Sequence, residues 1–281
     1  MTTFFRCVIS SALLGLACCA MLPGCGQPTT PLTVKPVMAP AEPWFVDVTT
    51  ELGLDFTHDP GPVDGKYFMP QINGSGAALF DCDNDGRLDI YLLQCGGADS
   101  KSTNALFRQT PGGKFQDISK TSGLDINGLN LGAAIGDVNN DGWSDVLVTQ
   151  YLGVKLFLNQ GKGAFGEATE QAGLKNPYWG ASASFVDYDR DGWLDLIVVN
   201  YLDFDETRHC TGRAGKRDYC LPNVFPGTPA RLWRNLGCDA AGKWLGYEDR
   251  TAAAGLEEKP GPGMGVLCRF QRRRLARHFR G

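Results

Sequence analysis

The chain has 281 residues, of which 43% are apolar and 36 are glycine. This composition allows a buried core with many tight turns, and it argues against a chain built of long helices. The formal net charge of -4 hides an asymmetry, because the segment 269–281 holds six arginines and no acid. Without those six and Arg6, the 27 basic residues fall to 20 against 31 acidic ones. The acidic body argues against nucleic acid as a partner.

The N-terminal residues 1–24 indicate a lipoprotein signal peptide. A positive start is followed by an apolar run, Val8 to Leu22, which is too short for a comfortable membrane span. The run ends in a Leu-Pro-Gly-Cys sequence that resembles a bacterial lipobox, with Cys25 as the lipidated residue. An ordinary secretory signal cleaved after Ala20 is the alternative. Residues 25–43 are rich in proline and threonine and predict an extended tether. We therefore expect an exported protein, lipid-anchored to the cell envelope on the periplasmic side or the cell surface.

Self-similarity dominates the rest of the sequence. A phrase that alternates apolar and polar residues and stops at Gly-Leu is typical of a half-buried strand before a turn. Its four copies begin at Phe45, Phe115, Phe165 and Tyr247. An aspartate-rich phrase, preceded by small residues and followed by an apolar run, begins at Asp81, Asp137 and Asp187. A third phrase, Leu-Phe or Leu-Trp at its start, begins at Leu106, Leu156 and Leu232.

Each unit of roughly 50 residues therefore predicts four short strands and an all-β fold. One four-stranded β-propeller blade fits such a unit, and a solenoid is the alternative, although solenoid repeats are usually shorter. The third unit carries an insertion, residues 203–230, which contains Cys210 and Cys220 as a local cysteine pair. The even number of cysteines after Cys25 favours disulfides in an exported chain. Inserted loops of this kind lie on a propeller face, where function usually lies.

The aspartate phrase follows the pattern Asp-x-Asp/Asn-x-Asp-Gly-x-x-Asp, which suits a hard cation. Calcium takes about six to eight oxygens, and a loop that curls around the ion presents every second side chain. The predicted side-chain ligands are Asp81, Asp83, Asp85, Asp89, Asp137, Asn139, Asp141, Asp145, Asp187, Asp189, Asp191 and Asp195. The predicted carbonyl ligands follow the glycines and are Arg87, Trp143 and Trp193.

A plain polar turn, an EF-hand and a magnesium site are the alternatives to a calcium loop of the propeller type. Two carboxylates about 4 Å apart repel by about 4 kcal/mol at an effective dielectric near ~20, which argues against a turn without a cation. An EF-hand loop ends in glutamate and lies between helices, whereas both flanks here predict strands. Magnesium tolerates crowded all-protein cages poorly. We therefore expect Ca2+ as the bound ion.

These phrases resemble the FG-GAP or VCBS repeats of integrin α-chain propellers. The similarity covers roughly residues 44–268, and it implies a β-propeller whose metal ligands are the loop residues named above. The segment from Arg217 to Cys220 and the Phe225-Pro-Gly sequence, which lead into Arg231, also resemble bacterial relatives of cartilage acidic protein. Those relatives are commonly seven-bladed and carry a C-terminal ASPIC/UnbV module. We find no such module here, and we expect an incomplete propeller of about three and a half blades.

Nothing in the sequence favours an enzyme. The three histidines, His58, His209 and His278, stand outside any known catalytic pattern, and no nucleophile elbow, zinc-protease or phosphate-cradling motif occurs. The expected function is a calcium-binding scaffold at the cell envelope that binds a protein or glycan, with the membrane reached through the lipid anchor. The alternative is a polysaccharide hydrolase or lyase on the same scaffold, because a carboxylate pair could serve such chemistry.

The basic tail, residues 269–281, occupies the place where the repeat requires a fourth aspartate loop. One permitted back-translation of this segment, read one base later, encodes Asp-Phe-Asn-Asp-Asp-Gly-Trp-Pro-Asp followed by a strand. The sequence therefore predicts a frameshifted or truncated form of a longer propeller. A basic tail that binds nucleic acid or anionic lipid is the alternative.

Overall fold

The structure is a computed structural model, and it describes residues 44–62, 64–258 and 261. The chain divides into two compact units, Met1–Val46 and Asp47–Gly281, and every helix and strand named below belongs to the second. The signal peptide, the tether with Cys25 and the basic tail lie outside the described residues. Among the described helices, none has the length and apolarity that a membrane crossing requires.

Three four-stranded antiparallel sheets, here called blades 1 to 3, make up most of the second unit. Blade 1 contains β1 (Ala77–Phe80), β2 (Asp89–Leu92), β3 (Ala105–Gln109) and β4 (Phe115–Asp117). Blade 2 contains β5 (Asn130–Gly136), β6 (Asp145–Gln150), β7 (Gly153–Asn159) and β8 (Phe165–Glu167). Blade 3 contains β9 (Gly180–Val186), β10 (Asp195–Asn200), β13 (Arg231–Asn235) and β14 (Tyr247–Asp249). Within each blade the strands pair in chain order.

The helices are single turns. The first α-helical turn, α1, is Thr49–Leu52 and the second, α2, is Ser119–Ser122, while 3-10 turns cover Met69–Asn73 and Pro222–Val224. Three copies of the Gly-Leu phrase open with an outer strand, as predicted. The first copy does not: residues 45–48 form no strand and Phe45 is 90% exposed. The outer strand of a blade forms only where the third strand of that blade lies beside it as a pairing partner. Alternation of apolar and polar residues does not by itself supply this partner.

The glycine of the Gly-Leu phrase has a stacking role. Gly123 follows α2 with φ at 79°, in the left-handed region that disfavours side chains. A Cβ atom at this position would overlap the carbonyl oxygen of Phe165, which belongs to blade 2. The phrase therefore ends in glycine because the backbone of the next blade packs directly against it.

Apolar cores fill the spaces between the blades. Phe80, Tyr91 and Leu106 of blade 1 pack with Val146 and Phe157 of blade 2. A second core joins blades 2 and 3 and contains Leu147, Leu156, Leu196, Trp233 and Tyr247. Because side chains alternate along a strand, each blade supplies one face to each neighbour. This repeated stacking is the packing of propeller blades.

The insertion of blade 3 forms a short disulfide-closed hairpin and packs on the rest of the chain. Its hairpin pairs β11 (Cys210–Thr211) with β12 (Arg217–Asp218), and a disulfide joins Cys210 to Cys220. A third apolar cluster gathers Trp179, Tyr201 and Phe225 with Met69. The buried Cys82 and Cys95 and the half-buried Cys238 are free thiols, and Cys268 lies outside the described residues.

The all-β fold built from propeller-type blades is thus confirmed. The described residues contain three complete four-stranded blades and form no closed ring, in agreement with an incomplete propeller. The segment in which a fourth aspartate loop was predicted lies outside the described residues.

Candidate metal centres

The three aspartate loops occupy equivalent places, each between the first and second strands of a blade. They are residues 81–88, 137–144 and 187–194, here called loops 1, 2 and 3. Because the first strands β1, β5 and β9 lie side by side in the stack, the loops lie at the same end of neighbouring blades. The sequence repeat therefore becomes a row of three chemically similar loops.

The first aspartate of each loop sets its curvature. Asp81 accepts hydrogen bonds from the N–H groups of Asp85 (3.0 Å) and Gly86 (2.7 Å), one on each carboxylate oxygen. Asp137 and Asp187 make the same two bonds in their loops. The fifth-position aspartates accept from the N–H of the residue after glycine, and these donors are Arg87, Trp143 and Trp193. The predicted role of those three carbonyls stays a prediction.

The fourth residue of each loop has the left-handed conformation that such a curl requires. The φ angles are 56° at Asn84, 55° at Asn140 and 65° at Arg190. Asparagine adopts this conformation more readily than most residues, whereas a long side chain does so rarely. The following glycines also have positive φ, so every loop has two left-handed positions.

The ninth-position aspartates are fully buried and tie the loop to the sheet. Asp145 accepts from the N–H of Val138 (2.9 Å) and of Asn159 (2.8 Å), so it joins the loop to the end of β7. Asp89 and Asp195 make the equivalent pairs of bonds in blades 1 and 3. Each carboxylate oxygen keeps further acceptor capacity. The ninth-position aspartate thus joins the loop to the sheet by hydrogen bonds, in addition to its predicted role as a metal ligand.

Loops 1 and 3 each bring three carboxylates together. Oxygens of Asp81, Asp83 and Asp85 lie within 4.8 Å of one another, as do those of Asp187, Asp189 and Asp195. In loop 2, Asn139 takes the third position, and the carboxylates described there form no such trio. The amide of Asn139 instead donates to Asp141 Oδ2 at 2.9 Å. The three loops are therefore not electrostatically equal.

One loop carboxylate oxygen lacks a donor, and burial disfavours the charged form of three loop aspartates. Asp83 Oδ1 is buried and receives no hydrogen bond from any described residue. Burial, with the nearby Asp85 and Asp89 carboxylates, raises the pKa of Asp83. Burial likewise raises the pKa of Asp145 to about 7 and also raises the pKa of Asp195. A buried oxygen without a donor, beside other hard oxygens, fits a divalent cation in both charge and ligand type.

Arginines that the sequence analysis did not identify contact the same carboxylates. Arg234 on β13 donates from Nε to Asp189 (2.6 Å) and from Nη2 to Asp191 (2.8 Å). Arg108, at the same position of blade 1, lies 3.6 Å from Asp83, and Arg87 pairs with Asp85. Leu158 holds this position in blade 2. The third phrase of the repeat, in which Arg108 and Arg234 are the third residue, was the available signal.

Asparagine side chains join the first two loops to the next blade by hydrogen bonds, and sequence reasoning did not predict these contacts either. Asn159 Nδ2 of blade 2 donates to the carbonyl of Cys82 in loop 1 at 2.9 Å. The equivalent Asn235 of blade 3 donates to Val138 of loop 2 at 2.8 Å. Between the loops themselves, Asn84 Nδ2 donates to Gly142 O at 2.9 Å. Asn140 repeats this bond to loop 3.

Comparison with known proteins relates part of the chain to a known repeat family. A family described as FG-GAP-like repeat matches residues 81–148 and 137–198. No curated protein matches the chain. Among solved structures, the chain is similar to a lectin of Agrocybe aegerita, described as recognising non-reducing terminal N-acetylglucosamine. That similarity has 15% identity and a TM-score of 0.27, over 62% of this chain and 51% of the lectin chain, so it supports no statement about ligand or fold. The matched residues, 81–198, include all three aspartate loops and are therefore similar to FG-GAP-like repeats.

Proposed function

We propose that this protein is a calcium-stabilised β-propeller scaffold that binds a protein or glycan at the cell envelope. The observation that carries the proposal is the row of three aspartate loops. Two of them bring three carboxylates within 4.8 Å of one another, and one buried oxygen there, Asp83 Oδ1, receives no hydrogen bond from a described residue. The loop carboxylates and Asn139, with the carbonyls of Arg87, Trp143 and Trp193, would hold the ion. Calcium would supply positive charge that fixes each loop to its blade.

The proposed binding face is the opposite end of the blades, where the insertion lies. The aspartate loops at one end of the sheets would coordinate the metal. The other end carries the disulfide-closed hairpin and an aromatic cluster. The same insertion supports a relationship to bacterial relatives of cartilage acidic protein. With the loop aspartates assigned to metal, we propose a binding protein and not an enzyme, without nucleic acid as a partner.

Calcium binding is tested by stoichiometry and by thermal unfolding of the purified protein. We expect three ions per chain in a calcium titration, and a melting temperature that falls when excess chelator is added. Calcium at 100 times its Kd stabilises the folded state by about 2.7 kcal/mol for each independent site. Asp187→Ala should reduce the stoichiometry from three to two, while the exposed Asp55→Ala, outside the loops, should leave it unchanged. Identical melting curves in calcium and in chelator would refute the metal assignment.

The proposed envelope location depends on Cys25. If this residue carries lipid, the protein partitions into the detergent phase of a phase-separation assay, because two acyl chains give stable membrane binding. Cys25→Ser should move the protein to the aqueous phase or block its processing. Cys238→Ser is the control, since it removes a free thiol from the folded body without touching the anchor. Equal partitioning of the wild type and Cys25→Ser would contradict lipidation.

A further inference from the structure

A solvent-open cavity of about 440 Å³ is lined on one side by residues 62 and 64–71 and on the other by the insertion, away from the aspartate loops. Its apolar wall is formed by Phe68 and Phe204, whose rings meet edge to face with centroids 5.6 Å apart. Both rings continue into the core, because Phe68 packs on Tyr151 and Phe204 packs on Trp179. The aromatic wall is therefore fixed in place by its packing on the core aromatic residues.

The rim of this cavity carries polar side chains with unused hydrogen-bonding capacity. Arg217 and Glu206 both line it, and neither forms an ion pair with any residue that the structure describes. Arg217 donates one bond, from Nη2 to the carbonyl of Lys66 at 3.0 Å, and Glu206 accepts one long contact of 3.4 Å from the Tyr151 hydroxyl. Gln71 adds a side-chain amide whose Nε2 donates to the Pro62 carbonyl, which leaves the amide oxygen available.

The position of Arg217 is set by a strained turn. Tyr67 has φ at 57°, a strained conformation for a bulky residue that tends to occur at ligand sites. Its ring lies 5.6 Å from the Arg217 guanidinium and packs edge to face on Tyr219 at 5.1 Å. The disulfide between Cys210 and Cys220 closes the hairpin that carries Arg217. The guanidinium is thus held at the rim before any ligand arrives.

We propose that this cavity binds a neutral sugar ring of a glycan, an inference that rests on the proposed scaffold function. A pyranose has an apolar C–H face, which packs on an aromatic wall, and an edge of hydroxyls, which pair with guanidinium donors and carboxylate acceptors. The rim holds Lys66 and Arg217 against Asp64 and Glu206. A strongly anionic or cationic ligand would therefore meet like charges, whereas a neutral polyol would not.

The test uses the full-length, detergent-solubilised protein saturated with calcium. It is applied to an array of neutral oligosaccharides of glucose, galactose, mannose and N-acetylhexosamines, with sulfated and uronic acid oligosaccharides alongside. The neutral oligosaccharide with the strongest signal is then titrated by calorimetry. Arg217→Ala should weaken its binding by about tenfold or more, because a charged hydrogen-bond donor is lost. Glu206→Gln should weaken it as well.

Arg213→Ala is the matched control, because Arg213 is exposed in the same hairpin but does not line the cavity. It should leave the affinity unchanged. The proposal is overturned if no neutral oligosaccharide binds, if only charged oligosaccharides bind, or if Arg217→Ala and Arg213→Ala bind alike. The calcium-dependent melting shift is measured on the same samples. A shift without glycan binding rejects this cavity alone, whereas the absence of a shift rejects the calcium scaffold itself.

Discussion

Truncation of Asn159 tests whether the blades stack through their aspartate loops. This side chain is 4% exposed and makes three hydrogen bonds to backbone groups. Its Nδ2 donates to Cys82 O at 2.9 Å and to Ser144 O at 3.1 Å, and its Oδ1 accepts from Gly161 N–H at 2.8 Å. Asn159→Ala therefore leaves two carbonyls and one N–H without their partner across or beside the blade interface.

The expected cost follows from the burial of those groups. Cys82 and Gly161 are buried, while Ser144 is half-buried and can reach water. An orphaned buried polar group costs about 1–3 kcal/mol, so two of them predict a loss of about 2–4 kcal/mol after partial relaxation. For a protein of this size, each kcal/mol lowers the melting temperature by about 2–4 °C.

Urea denaturation in saturating calcium measures this loss directly, and an unchanged m-value shows that the same surface is exposed on unfolding. Asn235→Ala, the equivalent change at the next interface, should cost at least as much, because Asn235 also accepts from Trp244 Nε1. Asn127→Ala is the control, since this exposed asparagine bonds only to nearby loop carbonyls and should cost less than about 1 kcal/mol. Equal losses in the free energy of unfolding for Asn159→Ala and Asn127→Ala would refute a stabilising role for the Asn159 hydrogen bonds between the blades.

Two further substitutions test the glycine phrase and the loop arginines. Gly123→Ala should destabilise the protein by about 2 kcal/mol or more in the same assay, because its φ is positive and a Cβ atom would overlap the Phe165 carbonyl. Gly112→Ala is the control and should be nearly neutral, since a Cβ atom there meets open space. Similar losses for the two variants would contradict the stacking role of Gly123. Arg234→Leu, which copies Leu158 of blade 2, should raise the calcium affinity of loop 3 several-fold by removing a competing cation, and an unchanged calcium titration would show that the arginine does not compete.

Much of the fold was predictable because its signals are local and repeated. The alternation after Phe115 and the apolar run after Asp145 each predict a strand from a few neighbouring residues, and the repetition gives their order. The first Gly-Leu phrase shows the limit of this reasoning. Phe45 stands in the same local pattern, yet residues 45–48 form no strand. Strand formation depends on a paired neighbour, which local alternation does not supply.

The site was predictable in its carboxylates and not in their partners. The spacing from Asp81 to Asp85 brings three carboxylates together as expected. The arginine that reaches loop 3, Arg234, lies 45 residues beyond Asp189, and Arg217 reaches Lys66 across 151 residues. Such contacts follow from blade stacking and from the course of the insertion. The repeated phrase marks the position of Arg234, but a single sequence holds no rule for which carboxylates that arginine contacts.

The loops and the blade stack share atoms, and this links the proposed metal sites to the fold. The carbonyl that Asn159 clasps belongs to Cys82, whose own N–H bonds to the ninth-position Asp89. A cation that fixes the carboxylates of loop 1 therefore also fixes the acceptor on which blade 2 docks. Asn84 extends this restraint to the next loop, because its side-chain amide donates a hydrogen bond to the Gly142 carbonyl. Because neighbouring loops constrain one another in this way, we expect an ion bound in one loop to favour the binding geometry of the next. Chelation would then loosen the stacking of the blades as well as the loops themselves.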